Sequence, residues 1–494
     1  MKILKASNLL RMRFFLFLCA ISLSFVSYSQ VSQVTNKNQL PDIGVVASGS
    51  ISIDKELLVG DALMRQLRGQ APIINDPLLE EYIQDLGNRI VANSENVKFP
   101  FRFFLIDSKD INAFAFFGGN VGVHTEIIIR AETESELASV LAHEVAHVTQ
   151  RHIARRIEAQ QRFSPIQIAT AIAGIVLGVA AGSSDAVLAG VSASGAAAQQ
   201  NSINYTRSNE QEADRIGIQV MAKAGFDPNG ASSFFGKLVE QSRFKSAPPQ
   251  FLLTHPLPEA RVSEARSRAA SLPQIYAPPN LNFHLTKMRI LARYYRNPEE
   301  NITLFKKQLK NNQYVFREAH EYALALSYLA NEQSDEAEKI IDKLLKKDPE
   351  NLYYHDAATD ILIAQKKFDQ AYSALSKQAE QRPRNRVITL NLANVAIENK
   401  NYDMAIELLK DYLLVNPDHL LSHQLLSSAY SGSQRFLEMH QTQAEIYALL
   451  LAYPRAIDEL QHAYNFAKLQ NIEKQRIRAR IDQFREAQRR LETL

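Results

Sequence analysis

His143-Glu144-Val145-Ala146-His147 is the stretch from which the rest of the chain can be read. As a helix it sets two imidazoles at i and i+4, one turn apart on one face, close enough to share a single ion. Zinc takes imidazole nitrogen readily, and two helical histidines leave positions for a third ligand and a water. Glu144 lies between them and can reach that water as a general base. Five residues alone have modest specificity, so the flanks decide. Thr133, with Glu136 three residues on, forms a capping-box pattern. Leu137, Val140, Leu141, Glu144 and Val148 then recur on one helical stripe, which sets a carboxylate in an apolar face where a metal or a charged partner must compensate it. The same count, about 100° per residue, puts His152 opposite His143 and His147, as a solvated histidine outside the ligand set.

Ser208-Asn209-Glu210-Gln211 opens another helix with a second capping-box pattern. Its apolar stripe is Ala213, Gly217, Val220, Met221 and Ala224. Glu210 and Asp214 fall at the edge of that stripe, one turn apart, while Glu212 points the other way as a solvated charge. Periodicity therefore selects Glu210 as the inward carboxylate able to complete a site of two histidines and one glutamate, with Asp214 beside it. Gly217 would let this helix approach its neighbour closely.

The 494 residues suffice for two to four domains with sizeable cores. With 56 basic against 53 acidic residues, the charge balance implies no nucleic-acid partner and no strongly anionic one. Lys2, Lys5, Arg11 and Arg13 precede an apolar run from Phe14 to Val26, and Ser27-Tyr28-Ser29 follows with small residues at −3 and −1. That is the pattern of a secretory signal peptide over residues 1–29, cleaved before Gln30, and the run is short for a spanning anchor. Cys19, the sole cysteine, lies inside it. The mature chain then has no disulfide, thiolate metal site or cysteine nucleophile.

Lys55–Leu67 and Pro77–Ser94 read as helices and Phe101–Ile106 as a strand. Asn112–Gly119 leads into a second strand, Val121–His124, just before the motif helix; an ordinary hairpin is the simplest reading, with His124 structural. A strand there also offers an edge to an extended peptide. Ile166–Gly182 and Ala186–Ala198 are rich in small residues, fitting a soluble helical hairpin more readily than a peripheral contact with a membrane surface. In Thr254-His255-Pro256-Leu257-Pro258-Glu259-Ala260-Arg261 the proline after His255 favours an extended residue before a helix near Pro258.

Beyond residue 275 the composition turns to amphipathic helix. Pro349, Pro383 and Pro417 are spaced by 34 residues, and Ala337, Ala371 and Ala405 stand twelve positions before them. That is the tetratricopeptide period, one helix pair per repeat with small residues where helices touch. Residues 284–317 read as a degenerate first repeat, and Ala456 fits another repeat after an insertion. Asn471–Leu494, with Ile477, Ile481, Phe484 and Leu491 on one face, reads as the polar-backed cap.

The motif at 143–147, together with Asn209–Gly217, Asn112-Ala113-Phe114-Ala115 and Gly118-Gly119, resembles the gluzincin peptidases related to the CAAX prenyl proteases. The family more often has proline where Phe117 stands. The resemblance implies one zinc ion per subunit on His143, His147 and Glu210, Glu144 as catalytic base and Asp214 as an accessory group that donates a proton. It also brings His255 near the metal, where it either occupies the open position at rest or steadies the oxyanion. The expected fold is α+β, mostly α: a metallopeptidase domain with a small sheet over 30–275, then an all-α repeat solenoid over 276–494. The order of signal peptide, gluzincin domain and repeats resembles periplasmic proteases of Gram-negative outer-membrane quality control. That implies promotion of β-barrel assembly, degradation of unfolded or stalled barrel proteins, and contact with the assembly machinery through the repeats. The alternative is an assembly scaffold or chaperone in which proteolysis is secondary.

Overall fold

Local capping starts the helices that frame the peptidase half. In the computed structural model, which describes residues 51–159, 207–244, 250–255, 259–467 and 471–492, Ser52 accepts the Lys55 backbone N–H and opens α1 (Ile53–Gln70). Asp76 accepts the N–H groups of Leu78 and Leu79 and opens α2 (Pro77–Val91), with proline at its first position. The signal-peptide segment with Cys19, the small-residue run 166–198 and residues 256–258 lie outside the described residues. Among those described, no helix is long and apolar enough to cross a membrane.

The sheet has three strands in the order β1-β3-β2: β1 (Arg102–Ile106), β2 (Ala113–Phe116) and β3 (Asn120–His124). β2 and β3 form the expected antiparallel hairpin, with Phe114 opposite Gly122. Gly118 (φ 75°) and Gly119 (φ 78°) supply the left-handed turn between them. β1 runs parallel to β3. Its side chains alternate, Phe103 and Leu105 entering the main core with α2, and Phe104 and Ile106 packing on Met64 and Leu67 of α1.

After α3 (Thr125–Arg130) comes α4 (Glu134–Thr149), the motif helix, in which every residue from Ser135 to Thr149 is buried. Thr133 caps it by accepting the Glu136 N–H. Glu136 reaches past the cap to the Glu132 N–H at 2.7 Å and also accepts Lys237 Nζ at 2.8 Å, so the capping box is only half formed. α5 (His152–Ala159), α6 (Arg207–Lys223), α7 (Asn229–Phe244), α8 (Gln250–Thr254) and α9 (Glu259–Ala270) complete this half. α6 is already helical at Arg207, so Ser208 lies inside it and is not its cap.

The second half is the expected helical array, from α10 (Leu281–Ile290) and α11 (Pro298–Lys310) through α12 (Arg317–Ala330), α13 (Ser334–Lys347), α14 (Leu352–Ala364), α15 (Phe368–Gln381), α16 (Arg386–Glu398), α17 (Tyr402–Val415), α18 (Leu420–Gly432), α19 (Phe436–Leu449) and α20 (Tyr453–Phe466) to the capping α21 (Asn471–Glu492). The repeat is visible in the backbone. Glu332, Lys366, Lys400 and Gln434 all take left-handed φ near 60° in the turn between paired helices. Ala337, Ala371 and Ala405 each follow such a turn by five residues and are fully buried against the partner helix. Leu451 takes the same conformation only 17 residues after Gln434, and Ala456 follows it. The insertion expected before Ala456 is therefore a single helix, α19, which pairs with α20.

The extended stretch after α9 leads into a helix shared by both cores: Phe283 and Ile290 of α10 join the peptidase core, while Leu285 and Met288 join the first repeat core. Arg289, also on α10 and 2% exposed, donates to Asp76 at 2.7 Å, to Asp356 at 2.6 Å and to the Tyr322 hydroxyl at 2.8 Å. This buried cation bridges the cap of α2 to α14. Replacing it, Arg289→Ala, strands two buried carboxylates, and removal of one partner from such a group costs about 3–5 kcal/mol. Denaturant titration of the metal-loaded chain should show a lowered midpoint; a variant as stable as the parent would remove the bridge from this account.

Candidate metal centre

Buried polar groups on an otherwise packed helix must find partners, and α4 carries three of them. His143, Glu144 and His147 are all but inaccessible. α6 comes against this helix where Gly217 lacks a side chain, since a Cβ there would stand 3.1 Å from the backbone of Ala142 and His143. That close approach brings Glu210 to the two rings: His143 Nε2 lies 3.4 Å from Glu210 Oε2, and His147 Nε2 lies 3.4 Å from Oε1. The two Nε2 atoms are 3.0 Å apart. His255, following the short α8, places Nδ1 3.3 Å from His143 Nε2 and 3.2 Å from Glu210 Oε1. Phe251 stacks on its ring at 4.8 Å.

The far nitrogens of both rings fix which tautomer each adopts. His143 Nδ1 stands 2.9 Å from Asp214 Oδ1, a short ionic contact bent off the ideal hydrogen-bond line, so its proton belongs on Nδ1 and the lone pair on Nε2. His147 Nδ1 meets His152 Nδ1 at 2.8 Å, and His152 Nε2 faces Glu212 Oε2 at 3.2 Å. The hydrogen bond from His152, opposed by partial burial and aided by Arg155, holds the Glu212 carboxyl down to about 2. It is therefore an ionised acceptor. His152 then donates from Nε2 and accepts on Nδ1, His147 donates from Nδ1, and its Nε2 is left as a lone pair.

Two imidazole lone pairs 3.0 Å apart beside a carboxylate repel one another unless a proton or a metal cation sits among them. Ligand atoms about 2.0–2.1 Å from a tetrahedral ion stand about 3.3–3.4 Å from each other. The contacts here run from 3.0 to 3.4 Å. His143, His147, Glu210 and His255 thus fit a metal by donor type, tautomer and spacing, all four ligand atoms lying within 4.8 Å of one another. The electrostatics agree. Burial opposes a charge on His143, yet Asp214 and Glu210 outweigh it and raise its pKa to about 10. A field that draws a proton so strongly draws a metal cation.

His152 and Glu212 correct the sequence reading. His152 is fully buried against His147 rather than solvated, and Glu212 is its anchor rather than a free surface charge. The helical count fails because α4 stops at Thr149 and Arg151 turns left-handed (φ 51°) before α5 restarts at His152. Arg261 has no motif spacing to mark it. It is 2% exposed, grips both oxygens of Asp214 at 2.7 and 2.8 Å, and donates to Glu210 Oε2 at 2.8 Å. The signal that could have found it is the carboxylate pair itself, since two buried acids one turn apart require a cation. Asp214 is thereby committed to Arg261 and to the far nitrogen of His143.

Glu144 is the exception to this satisfaction. Neither of its buried oxygens has a hydrogen-bond partner. His255 Nε2 stands 3.5 Å away, and the backbone of Ala115 on the edge strand β2 acts to lower the Glu144 pKa. Burial raises its pKa, against the opposing pull of His255 and His143. A raised, unpartnered carboxyl next to a metal site is set up to take and return a proton.

The chain from His147 through His152 to Glu212 gives a direct expectation. Removing the group that orients a ligand costs roughly tenfold to a hundredfold in metal affinity. His152→Ala should therefore lose metal to a competing chelator at correspondingly lower chelator concentration, with the fold retained by circular dichroism. Unchanged affinity would dissociate His152 from the site.

Residues 77–269 match peptidase family M48, and residues 362–429 match a tetratricopeptide repeat. The putative beta-barrel assembly-enhancing protease of Vibrio cholerae is 42% identical over 446 residues, 90% of this chain and 92% of that protein. The beta-barrel assembly-enhancing protease of Escherichia coli is 41% identical over 451 residues, 91% of this chain and 92% of its own length. The mitochondrial metalloendopeptidase OMA1 of Schizosaccharomyces pombe is 31% identical over 181 residues, 37% of this chain and 50% of its own. The chain belongs to peptidase family M48, and within it to the family of the beta-barrel assembly-enhancing proteases.

Proposed function

We propose that this metalloendopeptidase is a zinc enzyme of the bacterial periplasm that promotes the assembly of outer-membrane β-barrel proteins and degrades those that stall. The observation that carries the chemical part is a tautomer-locked set of nitrogen and carboxylate donors beside the unpartnered carboxylate of Glu144. The biological part is supported by what the relatives in Vibrio cholerae and Escherichia coli are called. It is supported also by the signal-peptide pattern at residues 1–29 and by a repeat array of the kind that binds proteins.

His143, His147 and Glu210 would hold one zinc ion, the imidazole-carboxylate set being suited to that metal. Bound there, zinc would supply a Lewis acid that polarises a peptide carbonyl and acidifies water. Asp214 and the His152–Glu212 pair keep the two imidazoles aimed, and Arg261 balances the charge of Glu210 and Asp214. An extended polypeptide would lie along the open edge of β2, where the Ala115 N–H faces the site. Glu144 would take a proton from the attacking water and pass it to the leaving amine. Asp214 acts in this reading through His143, because both its oxygens are already engaged.

His255 stands inside the donor set and next to Glu144, and that position favours a blocking role over oxyanion support. The ring must withdraw before a carbonyl can approach, so the site rests closed and the repeats deliver substrates to it. Two variants test the reading. Glu144→Gln should retain metal and lose cleavage of an unfolded β-barrel protein by more than about a hundredfold, the scale of a general base; a cleaving variant would sink the assignment. His255→Ala should cleave faster than the parent at equal metal content, whereas slower cleavage would make His255 the stabiliser. Rescue of an assembly defect in cells by Glu144→Gln would transfer the main role to scaffolding.

A further inference from the structure

Outside the metal centre, a cleft of about 610 Å³ runs between α1, strand β1, the start of α2 and the turn that joins α17 to α18. Its charged walls are almost all paired internally. Glu80 takes Arg386 at 3.3 Å and His419 at 3.4 Å, while Asp61 and Asp418 face Arg65 at 2.7 and 3.9 Å. Arg68 and Arg102 remain. Neither has a carboxylate within 4.0 Å among the described residues, and Arg68 touches only the backbone carbonyl of Asp418, at 3.5 Å. Burial and then the neighbouring charge of Arg102 pull the Arg68 guanidinium down to about 10, and the carboxylates of Asp418 and Asp61, each beyond 4.0 Å, offset this only in part. Two like charges set together on a cleft wall are relieved by an anion.

The cleft also presents main-chain chemistry. β1 is an outer strand of the sheet, and among the described residues no further strand runs along its free side. Ile74 donates its N–H to the Leu105 carbonyl, and Asp107 donates to that of Pro72. Further along, the Phe103 N–H and the Phe101 carbonyl are met by one side-chain amide, Gln84, which accepts at 3.0 Å and donates at 3.1 Å. An amide in that place makes the two bonds that the backbone of an added strand would make. Met64, Phe104 and Leu420 provide apolar lining beside it.

We propose that this cleft binds the carboxyl end of an extended polypeptide. The terminal carboxylate lies between Arg68 and Arg102, the last peptide groups take the place of the Gln84 amide on β1, and an apolar final side chain rests on Met64, Phe104 and Leu420. Guanidinium pairs suit a carboxylate by fork geometry. The strand edge selects a main chain over inorganic phosphate, which has none to offer. The inference extends the reading of this chain as one that acts on polypeptides, but it needs no metal chemistry, because none of the metal-site residues lines the cleft.

The test is fluorescence polarisation with metal-loaded, full-length Glu144→Gln protein and a fluorescein-labelled Gly-Thr-Val-Val-Phe peptide, once as the free acid and once as the terminal amide. The acid should bind at least about tenfold more tightly than the amide, as expected for a charge-assisted pair. Arg68→Ala with Arg102→Ala should abolish that difference, and Arg68→Lys with Arg102→Lys, which keeps both charges, should retain part of it at the same thermal midpoint. Equal binding of acid and amide, or an acid preference that survives both alanines, overturns the proposal. So does binding of inorganic phosphate or of phosphatidylglycerol vesicles through these arginines without binding of the peptide. Failure of the proteolytic reading would appear elsewhere, as an unfolded protein left intact by the unsubstituted enzyme.

Discussion

The structure depends on keeping ionisable groups on a helix that has no solvent-facing side. α4 is buried along its whole length and holds His143, Glu144 and His147 at its centre. An uncompensated charge in such surroundings is costly, so other parts of the chain must bring partners to it. α6 brings Glu210 and Asp214, α9 brings Arg261, and the end of α8 brings His255. The His152–Glu212 pair completes the cage. α5, α6, α8 and α9 all meet the same requirement. Glu144 keeps both carboxylate oxygens without a hydrogen-bond partner, as the proposed role of a general base requires.

How much of this is visible in the sequence depends on whether a contact is local. Glu210 could be chosen over Glu212 because both lie on one unbroken helix, where phase is reliable. His152 could not be placed, because one left-handed residue, Arg151, resets the phase between it and the two histidines of α4. That residue is itself fixed by a distant partner, Glu56, on the first turn of α1. The repeat array was legible for the opposite reason. Its period places alanine five residues after each left-handed turn, and a small side chain recurs wherever the geometry recurs. The half-period step at Leu451 broke the register and read only as an insertion.

What sequence could not convey is how the two halves meet. Glu80 pairs with Arg386 and His419, and Asn385 donates to Glu81; these residues lie more than 300 positions apart in the chain. None has a periodic signature, since each is an ordinary polar residue on a helix surface. Arg289 is similar: its neighbours on α10 follow an amphipathic pattern, and nothing in that pattern says that it bridges Asp76 to Asp356. Such bridges join elements from both halves, so they become apparent only when both are in place.

These contacts give α2 a particular position. One side of it meets the repeats through Asp76, Glu80 and Glu81. The other side meets the motif helix, where Tyr82 donates its hydroxyl to Glu134 in the first turn of α4 at 3.0 Å. Phe103 of β1 packs on α2 at Gly87, where a Cβ would collide with the ring at 2.2 Å. The solenoid and the motif helix are thus separated by a single intervening helix, closely packed on its neighbours. The proposed closing of the site by His255 and the proposed capture of substrates by the repeats are thereby joined through one helix. The contacts run from Arg386 and His419 through α2 to the helix that carries His143, Glu144 and His147.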